Sequence, residues 1–279
     1  MHVRRRRAAR RRRGALGAGW AVLSLLAAAR ASTAFPLAGV AQEPTTDDPL
    51  FVTYFGGERQ ETVHDVAHGP DGDLYIAGET ASRDLPPPGF RLRPTSGASR
   101  VDSAQPLDVD AFVARIDGAT RKVRWVSYLG GALQDAALAI VVAPDGGSVI
   151  VGGTFSADLP MLKAHQARHA GRSDAFVARL TPDGRQLEHA TYLGGTDSDL
   201  LVDAALDSDG TLFAVGWTRS PDFPQLGGVQ PGFGDDRPCE RLGESGAVRP
   251  CGDALLVAVA PDGRVLRAAS FGGAREDRA

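Results

Sequence analysis

Catalytic and redox chemistry is scarce in this chain. Two cysteines, Cys239 and Cys251, cannot supply the four ligands of a structural zinc site, and no Cys-x-x-Cys occurs. No Gly-x-Ser-x-Gly elbow, His-Glu-x-x-His pair or phosphate-binding loop is present, so no cofactor is implied. Aromatics are only 6% of residues, and no apolar run reaches the roughly 20 residues that cross a bilayer. Two histidine pairs, His64/His68 and His165/His169, have a metal-like spacing but lack a third ligand. Equivalent positions to the first pair hold Leu138 and Val142, then Val202 and Leu206, which marks them as packing positions.

Acidic residues are missing before Glu43, and nine arginines fall within the first thirty positions. A basic block, an apolar run from Gly14 to Ala29 and small residues up to Ala41 predict a signal peptide and processing region over 1–41. Export would place the protein in the periplasm, at the cell surface or outside the cell. Residues 42–50 read as a polar linker. Loss of the nine arginines leaves 22 basic against 34 acidic residues, a net charge of −12, which gives no electrostatic footprint for nucleic acid. In an oxidising compartment Cys239 and Cys251, each preceded by Arg-Pro, are expected to pair as a disulfide.

What the chain has in abundance is repetition. Tyr54-Phe-Gly-Gly57 returns as Tyr128-Leu-Gly-Gly131, Tyr192-Leu-Gly-Gly195 and Ser270-Phe-Gly-Gly273. From each tyrosine to a following Gly-x-Thr the distance is constant, 26 positions to Thr80, Thr154 and Thr218. Asp110-Ala-Phe-Val, Asp174-Ala-Phe-Val and Asp253-Ala-Leu-Leu precede the later copies. A constant core with one loop of variable length marks stacked supersecondary units. Pro-Asp-Gly and related turns bound short apolar strands, which predicts antiparallel hairpins. Apolar residues that barely alternate predict sheets packed on both faces. The glycines closing one strand per unit, Gly78, Gly152 and Gly216, predict close backbone approach.

These phrases resemble the bacterial seven-bladed β-propeller (SBBP) repeat, over about residues 51–279. The resemblance implies an all-β fold of four-stranded antiparallel blades and an exported or cell-surface protein, with no catalytic motif to carry over. Counted by strands, about three blades are present, an open arc or a truncated propeller, since propellers use roughly four to eight. Open edges would favour self-association, two arcs closing one ring being one form of it.

The variable segments open on Asp84-Leu-Pro, Asp158-Leu-Pro and Asp222-Phe-Pro. Variable loops on a rigid scaffold are where recognition concentrates, so Asp84, Asp158, Asp222 and the rim aromatic Trp217 are the candidate ligand-binding residues. The loops 86–109, 160–173 and 224–252 are the candidate contact segments. The aspartates also stand where carboxylates bond backbone N–H groups, and the repeated tyrosines read as core anchors. The expected function is a non-catalytic module that binds a glycan or a protein. The alternatives are a polysaccharide hydrolase or lyase with a loop-built site, and a purely structural segment of a surface protein.

Overall fold

The structure, a computed structural model, describes residues 53–87, 89–91, 109–227, 238–242, 247–250 and 252–272. The predicted signal region and linker lie outside the described residues, as does the expected disulfide between Cys239 and Cys251. Cys251 is not described, and Cys239 enters only as backbone of a short strand.

All regular structure among the described residues is β. The first sheet is built from β1 (Glu61–His68), β2 (Leu74–Thr80), β4 (Asp110–Ile116) and β5 (Val123–Leu129), with the two-residue β3 (Phe90–Arg91) running parallel outside β5. The second holds β6 (Asp135–Val142), β7 (Ser148–Thr154), β8 (Asp174–Leu180) and β9 (Leu187–Leu193). The third holds β10 (Asp199–Leu206), β11 (Leu212–Thr218), β14 (Asp253–Val259) and β15 (Val265–Phe271). A small hairpin, β12 (Pro238–Leu242) and β13 (Ala247–Pro250), interrupts the longest variable segment. Each sheet is an antiparallel meander in chain order, and the three form an arc that does not close. A blade therefore begins at the strand after Tyr-x-Gly-Gly and ends at the strand carrying the next copy.

The turn chemistry acts as expected at five hairpins, where Gly72, Gly146, Gly184, Gly210 and Gly263 all adopt positive φ. The β4–β5 turn differs. Asp117-Gly118 does not supply the left-handed residue; Arg121 does, at φ 62°, and its N–H closes the loop on the Asp117 carbonyl. The predicted close approach of Gly152 is real, since a Cβ there would stand 1.9 Å from the Ala136 carbonyl oxygen. Its cause is local. The first strand of each sheet bulges opposite this glycine, between Val63 and Asp65, Ala137 and Ala139, and Leu201 and Asp203.

Two cores hold the sheets together. One packs Tyr75, Val113, Trp125 and Leu129 of the first sheet against Ile140, Ile150, Phe176 and Tyr192 of the second. The other packs Val149, Val151, Val177 and Leu193 against Leu201, Leu255, Val257 and Val265 of the third. The second sheet is therefore covered on both faces, and β8 is buried along its whole length. That explains its unbroken apolar run. Polar links add register across the joint: Tyr75 donates its hydroxyl to the Gly146 carbonyl at 3.2 Å, and Ile140 N–H donates to Asp65 Oδ2 at 2.8 Å.

Tyr128 and Tyr192 occupy equivalent places, buried, each hydroxyl accepting the N–H of the Leu in an Asp-Leu-Pro phrase, Leu85 at 2.8 Å and Leu159 at 2.9 Å. The reading of Tyr54 as a third anchor is corrected. It is fully exposed, because residues 53–57 form no strand to hold it. Phe55 packs there instead, stacked on Phe112 with ring centroids 5.5 Å apart.

Candidate functional site

Every sheet starts from the same polar cap, and the cap sets the geometry around it. Asp135, the first residue of β6, is fully buried. Its carboxylate accepts the Gly131 N–H at 2.7 Å, the Ser156 hydroxyl at 2.9 Å and the Thr154 hydroxyl. Asp199 repeats this with Gly195 N–H at 2.8 Å, Ser220 at 2.8 Å and Thr218. Glu61 fills the place in the first sheet, reaching Gly57 N–H at 3.2 Å and Thr80 at 3.0 Å. Burial raises the Asp135 carboxyl to about 7 and Asp199 to about 6, against the donors that favour their charged forms.

Asp84, Asp158 and Asp222 stand exposed on the rim of this cap. Each accepts the N–H following a Gly-Gly pair, from Glu58 at 3.1 Å, Ala132 at 2.8 Å and Thr196 at 2.8 Å. The Thr196 N–H bond holds Asp222 below the usual carboxylate range. They brace the turn that leads into each first strand, with one carboxylate oxygen committed to it.

The described parts of the variable loops run outward. Leu162 bridges to Ala190 and Gln166 to Tyr192, so loop 160–173 lies along the outer strand β9; Leu226 bridges to Ala268 on β15 in the same way. These contacts cover outer strands. Most of loop 86–109 and about half of loop 224–252 lie outside the described residues.

A concave surface lies at the opposite, inner side, where β6 packs against both β1 and β10. The middle residue of each Gly-x-Thr phrase points the three sheets at one cavity of about 340 Å³, with Glu79 from the first, Gly153 from the second and Trp217 from the third. His64 completes the first wall, its Nε2 3.9 Å from Glu79 Oε1. Gln134 joins the first wall to the second sheet by donating to Glu79 Oε2 at 3.4 Å. Ala136, Leu138 and Phe155 form an apolar floor, and Leu200 stands beside Trp217. The Arg219 guanidinium lies over the indole, 5.2 Å from its centroid. Gly153 keeps the middle open, since a Cβ there would meet Leu200 Cδ1 at 2.3 Å.

Of the residues singled out from sequence, the structure brings Trp217 into this cavity, and none of Asp84, Asp158 and Asp222 lines it. Among the described residues no group of three His, Cys, Asp or Glu is placed to hold a metal ion. His64 lines the cavity, whereas His169 sits edge-on to Tyr192 with centroids 5.7 Å apart. Sequence reasoning missed Glu79, Gln134, Gly153 and Phe155. The available clue was the middle position of Gly-x-Thr, where a repeat otherwise strict at its ends holds an acid, a glycine and an indole. Compared with known protein-family models and with curated proteins, the chain matches none.

Proposed function

We propose that the chain is an exported, non-catalytic binding module that seats its ligand, part of a glycan or of a partner protein, in the cavity between its three sheets. The observation that supports this is the convergence of Glu79, Gly153 and Trp217, three unlike residues at one repeat position, on a single concave site. A pocket of this size, mostly apolar with a few convergent polar groups, has the general character of a ligand site. The resemblance to exported propeller repeats and the arginine-rich, apolar N-terminus support the address. The test is a ligand screen by thermal shift on the wild type and on Gly153→Leu. A Cβ at this lining position meets the flexible tip of Leu200 at 2.3 Å and no atom outside that side chain closer than 4.0 Å, so the larger side chain is placed to take up cavity space. Hits that stabilise the wild type and not the variant are expected; hits that stabilise both equally would refute the assignment.

A second reading, self-association, rests on the free face of the third sheet. Tyr75, Val149 and Phe213 hold the same place in β2, β7 and β11, with exposures of 0%, 3% and 41%. The first two are covered by the following sheet, and we propose that a second copy covers the third. In light scattering, the wild-type mass is expected to rise with concentration and that of Phe213→Asp to stay monomeric. A wild type that is monomeric throughout would end this reading.

A further inference from the structure

We infer that the cavity takes a pyranose unit of a neutral polysaccharide, an inference that rests on the binding-module reading. A pyranose ring carries two kinds of surface. Its C–H faces are apolar, and its edge is a belt of hydroxyl groups, each able to donate and accept. The cavity offers both complements at fixed places. The indole of Trp217, half-buried on the third sheet with the Arg219 guanidinium over one face, and the ring of Phe155, 47% exposed on the second, contribute flat apolar surface. The first wall presents hydrogen-bonding groups. Glu79 accepts, Gln134 donates and accepts, and His64 does either according to its tautomer.

The polar wall is organised before any ligand arrives. Glu79 is held between His64 on its own sheet and Gln134 on the next. Both contacts are long, 3.9 and 3.4 Å, so either partner can turn to a ligand hydroxyl at little cost in lost hydrogen bonding. Side chains of His64 and Glu79 are about one-quarter exposed, 27% and 24%, which leaves them accessible from the cavity. An indole opposite a carboxylate–amide pair, across a glycine that opens the floor, suits a ligand that is apolar on its face and hydroxylated on its edge.

The same chemistry sets the charge of the sugar. An anionic ligand would place its carboxylate or sulfate beside Glu79 in a concave, partly desolvated site, where like charges repel strongly. The whole chain is acidic as well, with a net charge of −3 before any processing. The Arg219 guanidinium lies over the indole on the third sheet, so the preference for neutral hexose and pentose chains over uronate and sulfated polymers rests on Glu79 at the first wall.

The experiment titrates the full chain with a panel of neutral oligosaccharides (β-glucan, α-glucan, xylan and mannan pentamers) and with oligouronates. Heat and tryptophan emission are followed together. At least one neutral pentamer is expected to bind saturably and shift the emission. The affinity is expected to fall about tenfold or more in Trp217→Ala, in line with the loss of one aromatic contact. The emission shift should vanish in that variant while the buried Trp125 still reports a folded chain. Glu79→Gln, which keeps the shape and removes the charge, is expected to narrow the preference for neutral over acidic chains. Tighter binding of oligouronates, or no neutral saccharide bound at all, would overturn the inference. If the sugars fail while another ligand binds the wild type and is lost in Gly153→Leu, the pocket is a binding site for something other than glycan. If Gly153→Leu alters no binding of any kind, the glycan assignment and the pocket fall together.

Discussion

Truncating Tyr192 to alanine is expected to destabilise the protein by about 3–5 kcal/mol, the range for removing a large buried aromatic side chain. The ring is 1% exposed and lies in the core between the first two sheets. Its hydroxyl does two jobs, donating to the Ser156 carbonyl and accepting the Leu159 N–H, both at 2.9 Å. Tyr192→Phe isolates that part. It leaves a buried donor and a buried acceptor without their partner, a loss of about 1–3 kcal/mol. Tyr54→Ala is the control, because the same phrase in the first copy places that ring wholly in solvent. Urea midpoints should rank Tyr54→Ala near the wild type, Tyr192→Phe lower and Tyr192→Ala lowest. Equal effects of Tyr54→Ala and Tyr192→Ala would mean that the two copies of the motif are not distinguished as described.

The second large effect is one of pH. Burial raises the Asp135 carboxyl from an ordinary 3.8 to about 7, with Asp110 adding like-charge repulsion. A carboxyl that binds its proton more tightly when folded stabilises the fold fully only below its unfolded value. That contribution is lost as pH climbs from about 4 through 7. Asp199, raised to about 6, adds the same sign over the lower part of the window. His189 opposes both. Its burial lowers it to about 4, so its contribution is present above its ordinary 6.5 and is lost as pH falls toward 4. Comparing the wild type with Asp135→Asn removes the shared terms. Relative to the variant, the wild type should lose stability between pH 4 and 7, by an amount on the order of 4 kcal/mol for a shift of this size. Above pH 7 the two profiles should run parallel. Thermal melts in half-unit pH steps would show it, and parallel profiles across the whole range would count against a proton held at Asp135.

Much of the fold is written in local sequence. Pro70-Asp-Gly72 and Pro144-Asp-Gly146 form turns because glycine tolerates the positive φ they require. β2, β7 and β11 run to Thr80, Thr154 and Thr218, two positions past the predicted ends. Those extra residues matter, because they carry the threonines of the polar cap and the Glu79, Gly153 and Trp217 of the cavity. Sequence marks the ends of the phrase by repetition and its varying middle residue by Trp217, but not that Glu79 and Gly153 share one cavity with it.

The cap itself was half legible. Aspartates before turns predict backbone bonding, and Asp84, Asp158 and Asp222 do that. The Asp-x-Pro phrase marks those three, but nothing in the order of residues shows that Asp135 and Asp199 are buried and that burial raises their carboxyls. Burial is a property of the neighbouring sheet, so it cannot be read from the strand alone.

What the sequence determined by itself is therefore the unit: four antiparallel strands, their turns, and the recurrence of that unit three times. Those features depend on φ preferences and on apolar spacing within about sixty residues of chain, which local physics decides. The tertiary structure decided which face of each unit meets another. It buried Tyr192 and exposed Tyr54, exposed Phe213 where Tyr75 is covered, and brought Glu79 and Trp217 to opposite walls of one cavity. Glu79 and Trp217 are 138 positions apart in the chain, and only the packing of whole sheets sets the distance between them.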